Sequence, residues 1–260
     1  MKSILLQLFF ICFVAVSFAQ SNLDSGLVLY YPFNGNANDM SGNKNNPAYN
    51  NASLTADRMG NPNSAYHFNG KNNYMKVHNS PSLNTADEMS IALWVKVTKF
   101  YTGKCYNNML MMKGDNDYRE GNYFLRFADP YNGCNDKADS TKEMFYGTGD
   151  ALATTPLIKS NQWYSVVWVC NNKTVDLYVD SILRVSVPDS YISFSNRYDL
   201  FIGHMNNDQY PYWLNGDLDE MRIYNRALSR EEILLYSNQK QNPAGSTGTI
   251  ITASGKNGAK

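Results

Sequence analysis

This chain is short of charge of one sign, of cysteine, of histidine and of long apolar runs, and each shortage removes a class of function. Its 23 Lys and Arg balance its 23 Asp and Glu, so no net field draws it toward nucleic acid or an anionic membrane. Four cysteines and three histidines are spread too widely for a zinc site: no two cysteines form a C-x-x-C half-site, and His67, His78 and His204 stand far apart. HExxH, GxSxG and the Gly-rich phosphate loop are absent. Beyond the N-terminus no segment is long and apolar enough to span a bilayer.

What is present begins with MKSILLQLFFICFVAVSFAQ. One Lys, an apolar run from Ile4 to Phe18, and small residues at Ser17 and Ala19 predict a secretory signal peptide over residues 1–19, cut after Ala19. The run is short for a membrane anchor, and Cys12 lies inside its apolar core without the small residues that precede a lipidated Cys. The mature chain is therefore expected to be soluble and extracytoplasmic: secreted, at the cell surface or in the periplasm. Its length suits one large β domain.

Period-two alternation recurs from residue 26 to 224. In MSIALWVKV, Ile91, Leu93, Val95 and Val97 share one face while Ala92, Trp94 and Lys96 share the other. QWYSVVWVC is apolar on both faces and reads as a central strand covered on each side. NNK then turns the chain into TVDLYVD, and DS turns it into ILRVSV, a meander with short turns. Further strands are expected at 65–69, 73–78, 108–112, 122–127, 143–146, 198–203 and 217–224.

One helix is signalled, by Ser229 followed three places later by Glu232, a capping box, with Ile233, Leu234 and Tyr236 as its apolar stripe. From Asn242 the sequence loses periodicity and becomes rich in Gly, Ser and Thr, so 242–260 reads as a flexible tail. Many short strands and one terminal helix exclude a βαβ protein. They predict an all-β domain over 20–241, two antiparallel sheets packed as a jelly-roll sandwich with one short C-terminal helix.

Cys105, Cys134 and Cys170 remain after processing. In an oxidising compartment an odd count predicts one pair and one leftover thiol. KCYNN and YNGCN are loop-like, whereas Cys170 ends an apolar strand. The expected disulfide is Cys105 to Cys134, closing a loop of roughly 30 residues worth about 3 to 4 kcal/mol in the chain-entropy model. Cys170 is expected as a buried thiol.

Five blocks, GLVLYYPFNGNANDMSGN, AYHFNGKNNYMKV, MSIALWVKV, NQWYSVVWVCNNKTVDLYVD and LNGDLDEMRIYNRALSREEI, together resemble the laminin G-like, concanavalin A-like lectin/glucanase jelly rolls of the bacterial extracellular kind. The resemblance runs from about 26 to 238. At Asp180–Ser181 the chain departs from the Asp-Gly common in that hairpin, and because Ser tolerates positive φ poorly, a turn of another type is expected there.

Related family 16 glycoside hydrolases carry a structural calcium between the first strand, a Gly in an early loop and an Asp on the last strand. The resemblance places these ligands at Pro32, Gly70 and Asp219, with Asn34 and Asp39 next in line. Backbone carbonyls plus a carboxylate suit calcium, a hard cation seeking six to eight oxygens. The other reading of FNGNANDMSGN is a string of Asx turns that satisfy their own backbone.

The same family includes glycosidases with a Glu-x-Asp-x-x-Glu pattern on a concave strand. The near match here, Asp115, Asp117 and Glu120, begins with Asp and lies between Gly114 and Gly121, so it reads as a hairpin loop, and no catalytic residue is assigned. His67, inside the strand YHF, reads as structural rather than as a base.

Binding remains. Lectin-like sandwiches bind ligands at loop rims or across the concave sheet, and aromatic rings combine a large apolar face with a polar handle. Tyr210 and Tyr212, flanking Pro211, and Tyr106 and Tyr131 in the expected disulfide loop, with Tyr101 and Tyr118 beside them, are the ligand-binding candidates. Trp213 reads as core. The expected partner is a glycan or glycoprotein, with an adhesion or structural domain making protein contacts as the alternative.

Overall fold

The computed structural model describes residues 22–103, 107–114, 121–128, 142–146, 152–171, 174–188 and 194–239. The expected signal peptide and tail, Cys105, Cys134, Tyr106, Tyr118, Tyr131, Asp115, Asp117 and Glu120 lie outside the described residues. Fifteen strands follow in chain order: β1 Leu27–Tyr31, β2 Tyr49–Asn50, β3 Ser53–Thr55, β4 Ala65–Asn69, β5 Met75–Val77, β6 Glu88–Val97, β7 Asn108–Lys113, β8 Tyr123–Ala128, β9 Lys142–Tyr146, β10 Leu152–Ile158, β11 Trp163–Asn171, β12 Thr174–Val179, β13 Ile182–Pro188, β14 Leu200–Ile202 and β15 Asn215–Tyr224. One helix, α1 Arg230–Ser237, comes last.

The strands form two antiparallel sheets, the expected sandwich. The first runs β13-β12-β11-β6-β15-β4-β3, with β1 also on β15; the second runs β10-β9-β8-β7-β14-β5-β2. The short strands β2 and β3 and the strand β10 were not signalled by alternation, since β2 and β3 are only two and three residues long and β10 carries Pro156.

Alternation decides what lies between the sheets. Ile91, Leu93, Val95 and Val97 of β6 enter the inter-sheet core with Val166, Trp168 and Cys170 of β11. The opposite face of β11, Val167 and Val169, packs with Ala92 against Ile233 and Tyr236 of α1. That helix explains why β11 is apolar on both faces. Its capping box is closed, Glu232 N donating to Ser229 Oγ at 3.3 Å and Ser229 N to Glu232 Oε2 at 2.9 Å. Burying a Leu or Val side chain in such a core is worth about 1.5 to 3 kcal/mol.

The opening loop is built of Asx turns. Asp39 Oδ1 accepts from the backbone N–H groups of Tyr30 and Ser41, and its Oδ2 from Ser41 Oγ and Asn45 N, each at 2.9 Å. Asn36 Oδ1 accepts from Asn38 N at 2.8 Å, and Asn45 Nδ2 donates to Val28 O at 2.8 Å. The Asp39 carboxylate and the Asn side-chain amides thus replace the sheet partner that the loop lacks.

The β12–β13 turn corrects the expectation from Ser181. Asp180 and Ser181 both have positive φ, 50° and 62°, the signature of a type I′ turn. The right-handed twist of the flanking strands demands that turn whatever residue occupies it. Asp180 offsets part of the strain, its Oδ1 accepting from Ser165 N at 3.0 Å. Ser181→Gly should raise the unfolding free energy by about 1 kcal/mol, read as a higher urea midpoint at unchanged slope.

Candidate functional site

Two places on the sandwich gather side chains beyond what packing requires. The first is the edge of β15. One side of this strand pairs along its length with β6; the other is shared, Asn215–Leu218 pairing with β4 and Met221–Tyr224 with β1. At the junction the register shifts, and Glu220 takes a positive φ of 50°. Asp219, fully buried there, receives Arg58 Nη1 on Oδ2 at 2.7 Å. Arg58 also donates to Gln239 O at 2.8 Å and lies 4.4 Å from the Trp94 ring centroid. Glu220 pairs with Arg222 at 2.9 Å and accepts from Tyr30 OH at 3.0 Å.

Burial first, then the neighbouring Glu220 charge, push the Asp219 carboxyl up to about 8, with Arg58 opposing. Arg58 faces Asp219 and Arg222 faces Glu220, so the two acids of the cluster meet two guanidiniums. Of the residues expected to hold calcium, Pro32 follows Tyr31, which faces Met221, and so reaches this junction with Asp219. Asn34 is near it in sequence, and its Oδ1 is buried without a hydrogen-bond partner. Gly70 is not there: it follows Asn69, which faces Asn215, four residues from Asp219 and so roughly 13 Å along the strand. Asp39 is not available either, because both its oxygens are filled by the loop's own donors. The early loop that faces Asp219 is the one carrying Arg58.

The second place is the outer face of the β5 and β14 end of the second sheet. Met75 and Val77 of β5 point into the core, so Tyr74 and Lys76 point outward. Tyr49 of β2 and Phe201 of β14 lie directly opposite Lys76 on either side. Tyr49 and Tyr74 meet with ring centroids 4.6 Å apart, and Tyr74 lies 4.5 Å from His204. His204 stacks on Trp213 at 4.6 Å and 12°, with Phe201 edge-on at 5.2 Å. The result is a continuous run of rings, deep at Phe201 and His204 and open at Tyr49, which is 42% exposed, while Tyr74 and Trp213 are half-buried.

The backbone fixes these rings. Tyr74 N donates to Asn51 Oδ1 and Asn73 Nδ2 to Asn51 O, both at 2.8 Å, tying β5 to the end of β2. Trp213 sits on a returning segment pinned by Met205 N to Pro211 O at 2.8 Å and Leu214 N to Gly203 O at 2.9 Å. Gly203, at φ +88°, allows this close return, since a Cβ there would stand 2.3 Å from Phe68. His204 is 8% exposed, and its Nε2 has no hydrogen-bond partner. Burial pulls its pKa down to about 4, so the ring is neutral near pH 7, and its Nε2 is closed off from solvent.

Among the expected ligand-binding residues, Tyr212 is 5% exposed and packs with Met109, Met112, Phe124 and Met205. This is a separate buried cluster on the outer face of the second sheet, since Met112 pairs directly with Phe201. Trp213, read as core from the sequence, is instead the half-buried ring of the platform. Tyr210 is half-buried beside Tyr212 at 6.0 Å. Tyr49, Tyr74 and His204 went unrecognised, for they come from three separated segments. The one signal in the sequence was Tyr at an outward position two residues before Lys76. His67 is structural as expected, its Nδ1 2.6 Å from Asp217 Oδ1, whose other oxygen receives Lys96 at 2.6 Å.

A family model for the concanavalin A-like lectin/glucanases superfamily matches residues 69–234. No curated protein matches the sequence. Among solved structures, the chain is similar to domain 4 of AbnA, a GH43 extracellular arabinanase from Geobacillus stearothermophilus, in complex with arabinotriose (TM-score 0.60, 17% identity, covering 81% of this chain and 98% of that one). It is also similar to the binding domain of Paraclostridial Mosquitocidal Protein 1 (TM-score 0.61, 17% identity, 84% and 53% covered). A third is the ligand binding domain of botulinum neurotoxin serotype D in complex with N-acetylneuraminic acid (TM-score 0.55, 15% identity, 82% and 51% covered). The chain spans about half the length of these two toxin domains. At such identities the likeness shows the fold.

A neutral buried His204 has a consequence for stability. Its folded-state pKa of about 4 lies below the ordinary 6.5, so the unfolded chain binds the proton more readily. The contribution is complete above pH 6.5 and is lost as pH falls toward 4, by up to about 3 kcal/mol. Urea unfolding of the wild type and of His204→Phe at pH 7.5 and 4.5 should show a smaller loss on acidification in the variant.

Proposed function

This chain belongs to the concanavalin A-like lectin/glucanases superfamily, and from that premise we propose that it is an extracytoplasmic, non-catalytic carbohydrate-binding module. The observation that carries the proposal is the platform of Tyr49, Tyr74 and Trp213 with neutral His204 set into it. Aromatic faces stack on the apolar face of a pyranose. Rings held by backbone hydrogen bonds are pre-organised, which lowers the cost of binding. No helix among the described residues is long and apolar enough to cross a membrane. The partner is a glycan, free or carried on a glycoprotein.

Glycan-array screening of the mature protein, followed by titration calorimetry on the strongest ligand, tests this reading. Saturable binding is expected. Trp213→Ala and Tyr74→Ala should each weaken it at least about tenfold, with an unchanged circular dichroism spectrum. Array binding that survives both substitutions would move the site elsewhere, and no glycan binding would favour the protein-contact alternative.

Structural calcium is a separate part of the proposal, on a reduced ligand set of Pro32, Asn34 and Asp219. The buried, partnerless Oδ1 of Asn34 supports it. The ion would supply positive charge at the split edge of β15 and nothing to ligand binding. Calcium at a hundredfold excess over Kd should stabilise the fold by about 2.7 kcal/mol. The Tm should rise with calcium, fall with chelator, and become indifferent to both in Asp219→Asn. An indifferent wild type would leave Arg58 as the neutralising group.

A further inference from the structure

Three cations of the neighbouring strands have their partners within the protein. Lys96 is paired with Asp217 and Arg222 with Glu220. Buried Lys113 gives its ammonium to Asn84 Oδ1 at 2.8 Å and to Asn196 O and Oδ1 at 2.9 and 2.8 Å. Lys76 differs. It is the outward residue of β5, directly opposite Tyr49 on one side and Phe201 on the other, two residues from Tyr74 on the same face. It is half-buried, and among the described residues no carboxylate comes within ion-pairing distance of its ammonium.

The nearby acids are accounted for in two ways. Asp199 is held by His78 at 3.4 Å and by Asn79 N at 2.9 Å. Asp208 is exposed on the His204 side of the platform, away from the β2 edge where Tyr49 opens to solvent. His204 adds no charge near pH 7. The open end of the platform therefore pairs ring faces with one uncompensated ammonium.

We propose that the platform selects anionic glycans, chains bearing a carboxylate or a sulfate ester, and that Lys76 is the residue that reads the charge. This rests on the glycan-binding reading above and adds the substrate class to it. The ring of a charged sugar stacks on Tyr49 and Tyr74 while its anionic group receives the Lys76 ammonium, a charge-assisted hydrogen bond shielded on one side by the rings. A lysine suits both anions, since a compact ammonium makes no demand for the planar bidentate geometry of a guanidinium.

The test uses matched glycan pairs that differ only in charge: sialyllactose and lactose, oligogalacturonate and its carboxyl-reduced chain, and sulfated and desulfated chondroitin hexasaccharides. Titration calorimetry is run on the full mature protein at low and at physiological salt. The charged member of at least one pair is expected to bind about tenfold tighter than its neutral twin, with the preference shrinking as salt rises. Lys76→Gln should abolish the preference while leaving neutral binding unchanged, Lys76→Arg should keep it, and Lys71→Gln, an exposed lysine nearby in sequence, should leave it intact. Equal or tighter binding of the neutral members, or a preference that survives Lys76→Gln, overturns the inference and leaves the glycan-binding reading standing. No binding to any member of any pair overturns both.

Discussion

The rest of the molecule depends on β15 and on the ion pair at its midpoint. Among the described residues it is the one strand hydrogen-bonded to three others, β6 along one edge and β4 and β1 in succession along the other. Two strands sharing an edge leave a gap between them, and backbone groups at such a gap need partners in a site without water. The chain meets this with a bulge: Glu220 adopts φ 50°, turning its carbonyl to accept from Tyr236 OH at 2.9 Å. Arg58 crosses the gap to Asp219. A pair so buried contributes little net stability over an apolar filling, but losing one partner would strand a charge in the interior. It sits at the point where β1 ends and β4 begins.

From that junction the geometry reaches both ends of the domain. Toward the C-terminus β15 delivers Tyr224 to the cluster under α1, and the helix returns Tyr236 and Gln239 to the bulge. Toward the N-terminus β15 is preceded by Trp213 and Leu214. Leu214 is anchored in the inter-sheet core, so Trp213, the next residue out, is forced onto the outer face of the second sheet and against His204. The aromatic platform is thus an extension of the same strand that carries the buried charges, and its rigidity derives from the core.

The two charged environments are arranged differently for physical reasons. At the β15 junction every charge faces another within the interior, where an unpaired ion is strongly destabilising. On the outer face of β5, half exposed, an unpaired ammonium is tolerated because water still reaches it. That is also where a ligand can arrive.

Much of the architecture was legible in the residues themselves. Period-two alternation in MSIALWVKV specified which side of β6 enters the core, and the double-sided apolar run of β11 announced a cover that proved to be α1. The Ser229–Glu232 capping box marked the helix start because both partners are local. Asp39 meets Ser41 two residues on but also ties its loop back to Tyr30 of β1, so only part of the Asx-turn reading of FNGNANDMSGN was local. The turn at Asp180–Ser181 was misjudged because strand twist, a property of the sheet, outweighs the preference of one residue. Gly70 was misplaced for a related reason: which early loop faces Asp219 depends on the register of β4 against β15, and register is set by pairing across some 150 residues of chain. The platform lay beyond reach altogether. Tyr49, Tyr74, His204 and Trp213 carry no common spacing, and only the order of strands in the second sheet brings their rings into contact. Local hydrogen bonds and side-chain period are encoded within a few residues and so belong to the sequence, whereas a surface assembled from edge strands exists only once long-range pairing has chosen their neighbours.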